Sequence, residues 1–247
     1  MIPFWTTVLL DLAADDHAGG QAFWAAVTGY EVSAPRGEDD EFTTLVPPHG
    51  DDVLKVQRRG EGPSRLHLDL HVADPAAAAD RAVLLGARIV VRHELDYVVL
   101  TSPAGIPFCF VTHTESQRPA PARWGEAASL VDQVCLDVPG SSYEAECAFW
   151  EQVTGFEGAP ARLPQFRRVR GPAGQPIRFL VQRLADDGPA GAHLDLAATD
   201  RAAEVERHLA LGAEVEHVDD FWTVLRDPGG LRYCVTGRDP FTGDVSA

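Results

Sequence analysis

The sequence predicts an α+β fold made of two tandem copies of one module, and three observations carry that prediction. Several motifs recur in one order at a nearly fixed offset, stretches of two-residue period alternate with isolated stretches of helical period, and Gly- and Pro-rich turns separate them. "AFWAAVTGYE" (22–31) is answered by "AFWEQVTGFE" (148–157), and "RLHLDL" (65–70) by "GAHLDL" (191–196). "LLGARIV" (84–90) is answered by "ALGAEVE" (210–216). "VLTSPAGIPFCFV" (99–111) meets "VLRDPGGLRYCV" (224–235), where one deletion shortens the offset by a residue. The first module is placed at 1–112 and the second at 130–247. Between them "HTESQRPAPARWGEAAS" (113–129) has the Pro- and Ala-rich composition of a linker.

Each copy opens on a strand, "TTVLLDL" or "DQVCLDV", where β-branched and apolar residues alternate with polar ones. A helix follows. In the second copy Ser141 and Glu144 have the spacing of a capping box, Phe149 and Val153 lie four apart on one face, and Gly155 supplies a left-handed stop. Phe23, Val27 and Gly29 repeat this pattern in the first. Three strands come next: "EFTTLV", "DVLKVQR" and "RLHLDLHV", matched by "QFRRVR", "IRFLVQRL" and "AHLDLAA". The second helix starts at Asp74-Pro75, an N-cap with proline at the first helical position, and stops at Gly86. Its counterpart runs from Asp200 to Gly212 with Val205 and Leu209 expected to face inward. Two strands joined by "SPAG" or "DPGG" close each copy.

The chain has 247 residues and a net charge of −16, so it lacks the cationic surface that binding to nucleic acid or to anionic membranes requires. No window approaches the roughly 18 apolar residues of a membrane span. The start "MIPFWTTVLLDLAADD" has no basic region, and Asp11 breaks its apolar run, so it reads as a strand rather than a signal peptide. Cys109, Cys135, Cys147 and Cys234 show no CxxC spacing, which fits reduced thiols in a cytoplasmic protein. The nucleophile elbow, the Walker loop, G-x-G-x-x-G and HExxH are all absent.

Strand alternation sorts the candidate functional residues. In "HLDL" the leucines are the helix-packing face, so His193 and Asp195 point to the other side, as do His67, Asp69 and His71 in the first copy. Gln133, Cys135 and Asp137 likewise oppose Val134, Leu136 and Val138. His193 and His67 are therefore candidate catalytic residues, each beside a carboxylate that could orient it as a base; a residue simply hydrogen-bonded to its neighbours has the same pattern. Cys109 and Cys234 recur at one repeat position, where a thiolate and a small buried hydrophobe are both chemically reasonable. Asp11, Asp69, Asp137 and Asp195 form an acidic set suited to a cationic or hydroxyl-rich ligand. Tyr97 and Trp222, at matching strand starts, could stack on a flat one. Trp24 and Trp150 read as core.

"AFWxxVTGY/F", "HLDL", "LGA" and "DPGGxxYCV", in this order and twice over, resemble the vicinal oxygen chelate superfamily of glyoxalases, bleomycin-resistance proteins and extradiol dioxygenases, especially its glyoxalase-like branch. The resemblance covers all but the linker and the last ten residues. It implies βαβββ modules whose sheets curl into a cup, with helices on the outer faces and a small molecule, often with a divalent metal, in the hollow. The ligand positions it implies fall on Gln133, His193 and Cys234 in the second module, and on Thr7, His67 and Cys109 in the first; the glutamate of metal-using members is absent from both. The expectation is a glyoxalase-like protein, monomeric or homodimeric, with a divalent metal (Zn, Fe, Mn or Ni) or none. It would be a lyase, isomerase or dioxygenase, or else a non-catalytic small-molecule binder of the antibiotic-resistance type.

Overall fold

The computed structural model describes residues 2–94, 96–112, 115 and 117–244. Its first half runs β1 (Trp5–Leu12), α1 (His17–Thr28), β2 (Glu31–Val32), β3 (Phe42–Val46), β4 (Leu54–Arg58), β5 (Arg65–His71), α2 (Pro75–Leu84), β6 (Arg88–His93), β7 (Tyr97–Thr101) and β8 (Pro107–Val111). The second half runs β9 (Ala122–Trp124), β10 (Ala127–Val138), α3 (Tyr143–Thr154), β11 (Glu157–Pro160), β12 (Phe166–Arg170), β13 (Arg178–Arg183), β14 (Gly191–Ala198), α4 (Arg201–Ala210), β15 (Glu214–Val218), β16 (Trp222–Arg226) and β17 (Arg232–Thr236). Each half thus contains the βαβββ order twice. Four strands lie between the helices and three follow the second, against the three and two that the sequence suggests. The stretch read as linker contains β9, which pairs with the start of β10.

The strands form two open mixed sheets, one per half. The first has the order β2, β3, β4, β1, β5, β8, β7, β6; the second has the order β11, β12, β13, β10, β14, β17, β16, β15, with β9 added on β10. Two compact units draw on both halves. One comprises Met1–Leu9, Leu66–Gln117 and Val134–Ala192; the other comprises Leu10–Arg65, Arg118–Gln133 and His193–Ala247. Among the described residues no helix is long and apolar enough to cross a membrane.

The helices follow their sequence signals with two exceptions. Asp74 and Asp200 cap α2 and α4 through bonds from Ala77 N and Ala203 N at 2.9 and 3.0 Å. Gly29 and Gly155 stop α1 and α3 at φ 70° and 68°, a conformation that glycine adopts without a Cβ clash. The capping box at Ser141 does not form: α3 begins one residue later, and the Ser141 hydroxyl donates instead to Asp187 at 3.0 Å. On α4, Leu209 is 43% exposed, whereas Glu204 and His208 are the buried pair. Their polarity is matched from inside the same unit: His208 Nδ1 lies 3.0 Å from the Tyr233 hydroxyl and Nε2 lies 3.1 Å from Glu204, which also accepts from Arg207 at 2.7 Å. Arg207 then donates to the carbonyls of Ala26 and Val27 and covers the Trp124 ring at 3.8 Å.

Candidate active site

The second-half site starts from a strand register. β14 and β17 run parallel with Asp195 opposite Cys234, which puts their side chains on one face of the sheet. Leu194, Leu196, Tyr233 and Val235 fill the other, helix-bearing face and are fully buried. His193, two residues before Asp195, shares its face, and its Nε2 lies 3.5 Å from Asp195 Oδ1. One donor atom from each of His193, Asp195 and Cys234 falls within 4.8 Å of the others.

A second layer holds this group in place. Gln133 donates from Nε2 to Asp195 Oδ2 at 2.5 Å and accepts at Oε1 from Arg238 Nη1 at 2.5 Å. Arg238 also donates to Asp132 at 2.6 Å and to Thr236 at 3.1 Å. Burial alone would push the Asp195 carboxyl up. The hydrogen bond and charge of His193, the Arg238 guanidinium and the Gln133 amide outweigh that and hold its pKa below the ordinary carboxylate value. Asp195 is thereby kept ionised beside an imidazole whose ring it can orient.

The first half repeats the group. β5 and β8 pair in parallel with Asp69 opposite Cys109, His67 Nε2 lies 3.6 Å from Asp69 Oδ1, and donor atoms of all three residues again lie within 4.8 Å of one another. Burial raises the Cys109 thiol pKa, partly offset by a hydrogen bond from His67. The supporting layer differs. Thr7, at the repeat position of Gln133, places its hydroxyl 2.9 Å from His71 Nε2, and His71 Nδ1 pairs with Glu115 at 2.7 Å.

Trp222 shares the face of Cys234, because Val224 pairs with Cys234 and Trp222 with Thr236; it is half-buried. Tyr97 shares the face of Cys109 through the Val99–Cys109 pair and stacks on His93 at 4.4 Å. Asp11 is buried and paired with Arg65 at 3.3 Å, and Asp137 is half-buried on β10. Arg238 and Asp132 are the site residues that sequence reasoning missed. Arg238 lies just past the last repeated motif, yet it continues the alternation Cys234, Thr236, Arg238.

An imidazole nitrogen, a carboxylate oxygen and a sulfur form a donor set that zinc or ferrous iron accepts, and three protein ligands leave a position open. His193, Asp195 and Cys234 fit a divalent ion on those grounds. Both amide atoms of Gln133, the other residue at an implied ligand position, are engaged by Asp195 and Arg238.

The glyoxalase-like domain family model matches residues 7–111 and again 133–236. The chain belongs to the glyoxalase-like family. A glyoxalase-like chain of this length aligns with a Mn(II)-bound glyoxalase from Novosphingobium aromaticivorans at TM-score 0.65 and 18% identity, over 94% of this chain and 80% of the other. It also aligns with a mutant 4-hydroxymandelate synthase from Streptomyces coelicolor (TM-score 0.62, 16% identity, 100% and 95% covered). A third is 2,2',3-trihydroxybiphenyl 1,2-dioxygenase from Sphingomonas wittichii (0.62, 14%, 96% and 90%). These likenesses establish the shared fold. A search of the curated proteins finds no match.

Proposed function

We propose that this glyoxalase-like chain is an enzyme acting on a small-molecule metabolite at the His193 face of its second half, by lyase, isomerase or dioxygenase chemistry. The observation that carries this reading is the convergence of His193, Asp195 and Cys234 on one sheet face, with the carboxylate held ionised by Gln133 and Arg238. Structures of the same fold include a Mn(II)-bound glyoxalase and several dioxygenases, which supports a divalent ion here. When bound, such an ion polarises a substrate oxygen.

The protein's own residues have separable tasks in this reading. Asp195 fixes the His193 ring, which serves as metal ligand or as proton acceptor from the substrate. Trp222 offers a flat apolar surface for the ligand body, with Tyr97 its counterpart in the first half. Asp195 favours a cationic or hydroxyl-rich group, as Asp69 would in the first half. The test is metal analysis of protein purified without chelator, together with turnover of a panel of catechols and hydroxylated metabolites. His193→Ala should strip the metal and lower turnover at least ~100-fold; full metal content and full turnover in that variant would overturn the assignment.

A second reading, a non-catalytic binder, draws on the Arg238–Gln133–Asp195 chain, which already satisfies the carboxylate without an ion. It is distinguished by recovering the bound ligand chemically unchanged while its addition raises the melting temperature.

A further inference from the structure

Each sheet ends on a strand of the same kind. β6 closes the first sheet and β15 the second; among the described residues each pairs on one side only, with β7 or β16, and every residue of both is exposed. Most of the large apolar side chains left exposed among the described residues lie on these two strands and at the helix ends that precede them, among them Leu84, Ile89, Val90 and Val91 in the first half and Val215 and Val218 in the second. Apolar groups gathered in this way, rather than scattered singly, mark a surface that another molecule covers. The two edges are also copies of each other. Arg88 and Glu214 stand at one repeat position, and just beyond it an extra residue, Val90 in β6 and Glu216 in β15, interrupts the register. A bulge raises the local twist and blocks pairing with a regular strand, so each edge suits a strand twisted as it is. Their charges are opposite: β6 carries Arg88, Arg92 and His93, and β15 carries Glu214 and Glu216 beside His217. Arg92 is held by Asp80 and Glu216 by Arg226 and Arg232, whereas Arg88 and Glu214 are exposed and have no ion pair among the described residues.

We propose that β6 of one copy docks on β15 of a second copy of this chain, edge against edge. With the strands parallel and the two bulges level, Ile89 comes beside Val215, and Arg88 comes beside Glu214. Pairing β6 with β6 would set Arg88 and Arg92 against a second such set, and pairing β15 with β15 would do the same with the glutamates. Only the mixed pairing joins opposite charges. The shared bulge favours a second copy over an unrelated strand, because the matching twist is already built into the chain. The net charge of −16 repels copies at long range. At ~0.15 M salt the Debye length is about 8 Å, so that repulsion is largely screened while Arg88 and Glu214 in contact still attract. Neither edge carries a residue of the proposed site.

The test is sedimentation velocity of the full chain at that salt over a wide range of concentration, with Arg88→Glu and Glu214→Arg run alone, mixed with each other, and combined in one chain. The wild type should associate as concentration rises. Each single variant sets like charges on the two edges and should weaken association at least ~10-fold. An equimolar mixture of the two, or the double variant, should recover it, which a misfolded variant could not do. Val90→Asp, level with Glu216 of the other copy, should weaken association comparably. All three positions are exposed, so melting temperatures should match the wild type. A wild type that stays monomeric at every concentration overturns the inference, even if another protein binds either edge. An association that both single variants leave unchanged overturns it too, as do single variants that stay weak when mixed.

Discussion

Trp24 donates its indole hydrogen to Asp227 at 2.7 Å across 203 positions of sequence, tying the first helix of one half to the last turn of the other within a single compact unit. The duplicated indole of Trp150 finds its carboxylate differently, on Glu146 of its own helix at 2.9 Å, and the other oxygen of Glu146 accepts from Ala104 N. The repeat partner of Glu146 is Gly20, where a Cβ would meet Leu12 Cδ1 at 2.8 Å. A side chain at that position would require Leu12 to shift, and the carboxylate is supplied instead from the turn. Asp227→Ala should therefore cost about 2–4 kcal/mol in urea unfolding, since it strands both the Trp24 donor and the Leu231 N–H that Asp227 accepts at 2.8 Å. Asp227→Asn, which keeps one acceptor oxygen but turns an amide NH2 toward the other donor, should recover only part of that loss.

The buried α4 pair makes stability depend on acid. Burial, opposed by Glu204, holds the His208 pKa below 6.5. Burial acts against Glu204 as well, but hydrogen bonds from His208, Arg207 and Ser129 bring it down from 4.5 to about 2. Both folded values lie below the unfolded ones, so the unfolded chain binds more protons and stability falls with pH. The loss begins below about 6.5 through His208 and continues from about 4.5 towards about 2 through Glu204. The lower leg amounts to about 3 kcal/mol when fully developed. Thermal melts from pH 8 to pH 3 should show both legs in the wild type, and Glu204→Gln should flatten the lower one. A melting temperature unchanged between pH 7 and pH 3 would count against the network.

Much of the architecture was legible from local signals that burial had imprinted on the chain. The repeat, the Phe-Trp helices, the aspartate caps and the His-Asp face all follow from periodicities that match what is buried. The misses occur where that link breaks. β6 and β15 are exposed along their entire lengths and show no alternation, and β2 is two exposed residues long. On α4 the buried face is polar because Tyr233 and Arg207 complete it, so an apolar-face rule selects Leu209 instead. Within the site, Asp195 could be assigned a face and a histidine neighbour but not its link to Arg238, which joins the group only through tertiary contact. Leu209→Lys gives a direct check: it should shift stability by no more than about 0.5 kcal/mol, whereas the inward-facing residue that the sequence suggests would cost several times that.

Arg238 and Asp132 should behave as one unit. Asp132 is completely buried and pairs with the guanidinium at 2.6 Å, so Arg238→Met should destabilise the chain by about 3–5 kcal/mol. Asp132→Asn in the same chain should recover a substantial part of the loss. A double-mutant cycle in chemical denaturation reads the coupling, expected to exceed about 1 kcal/mol; strict additivity would contradict the pairing.

Anomalous diffraction reads directly whether His193, Asp195 and Cys234 together hold a divalent ion, as proposed. Crystals of the full chain grown with Zn(II) and measured at the metal's absorption edge should show an anomalous peak about 2.0–2.3 Å from a nitrogen of His193, a carboxylate oxygen of Asp195 and the sulfur of Cys234. Crystals of His193→Ala should lack that peak. A wild-type map with no peak among these three side chains at saturating metal, or with the ion bound elsewhere and His193 still hydrogen-bonded to Asp195, would rule out this ligand set.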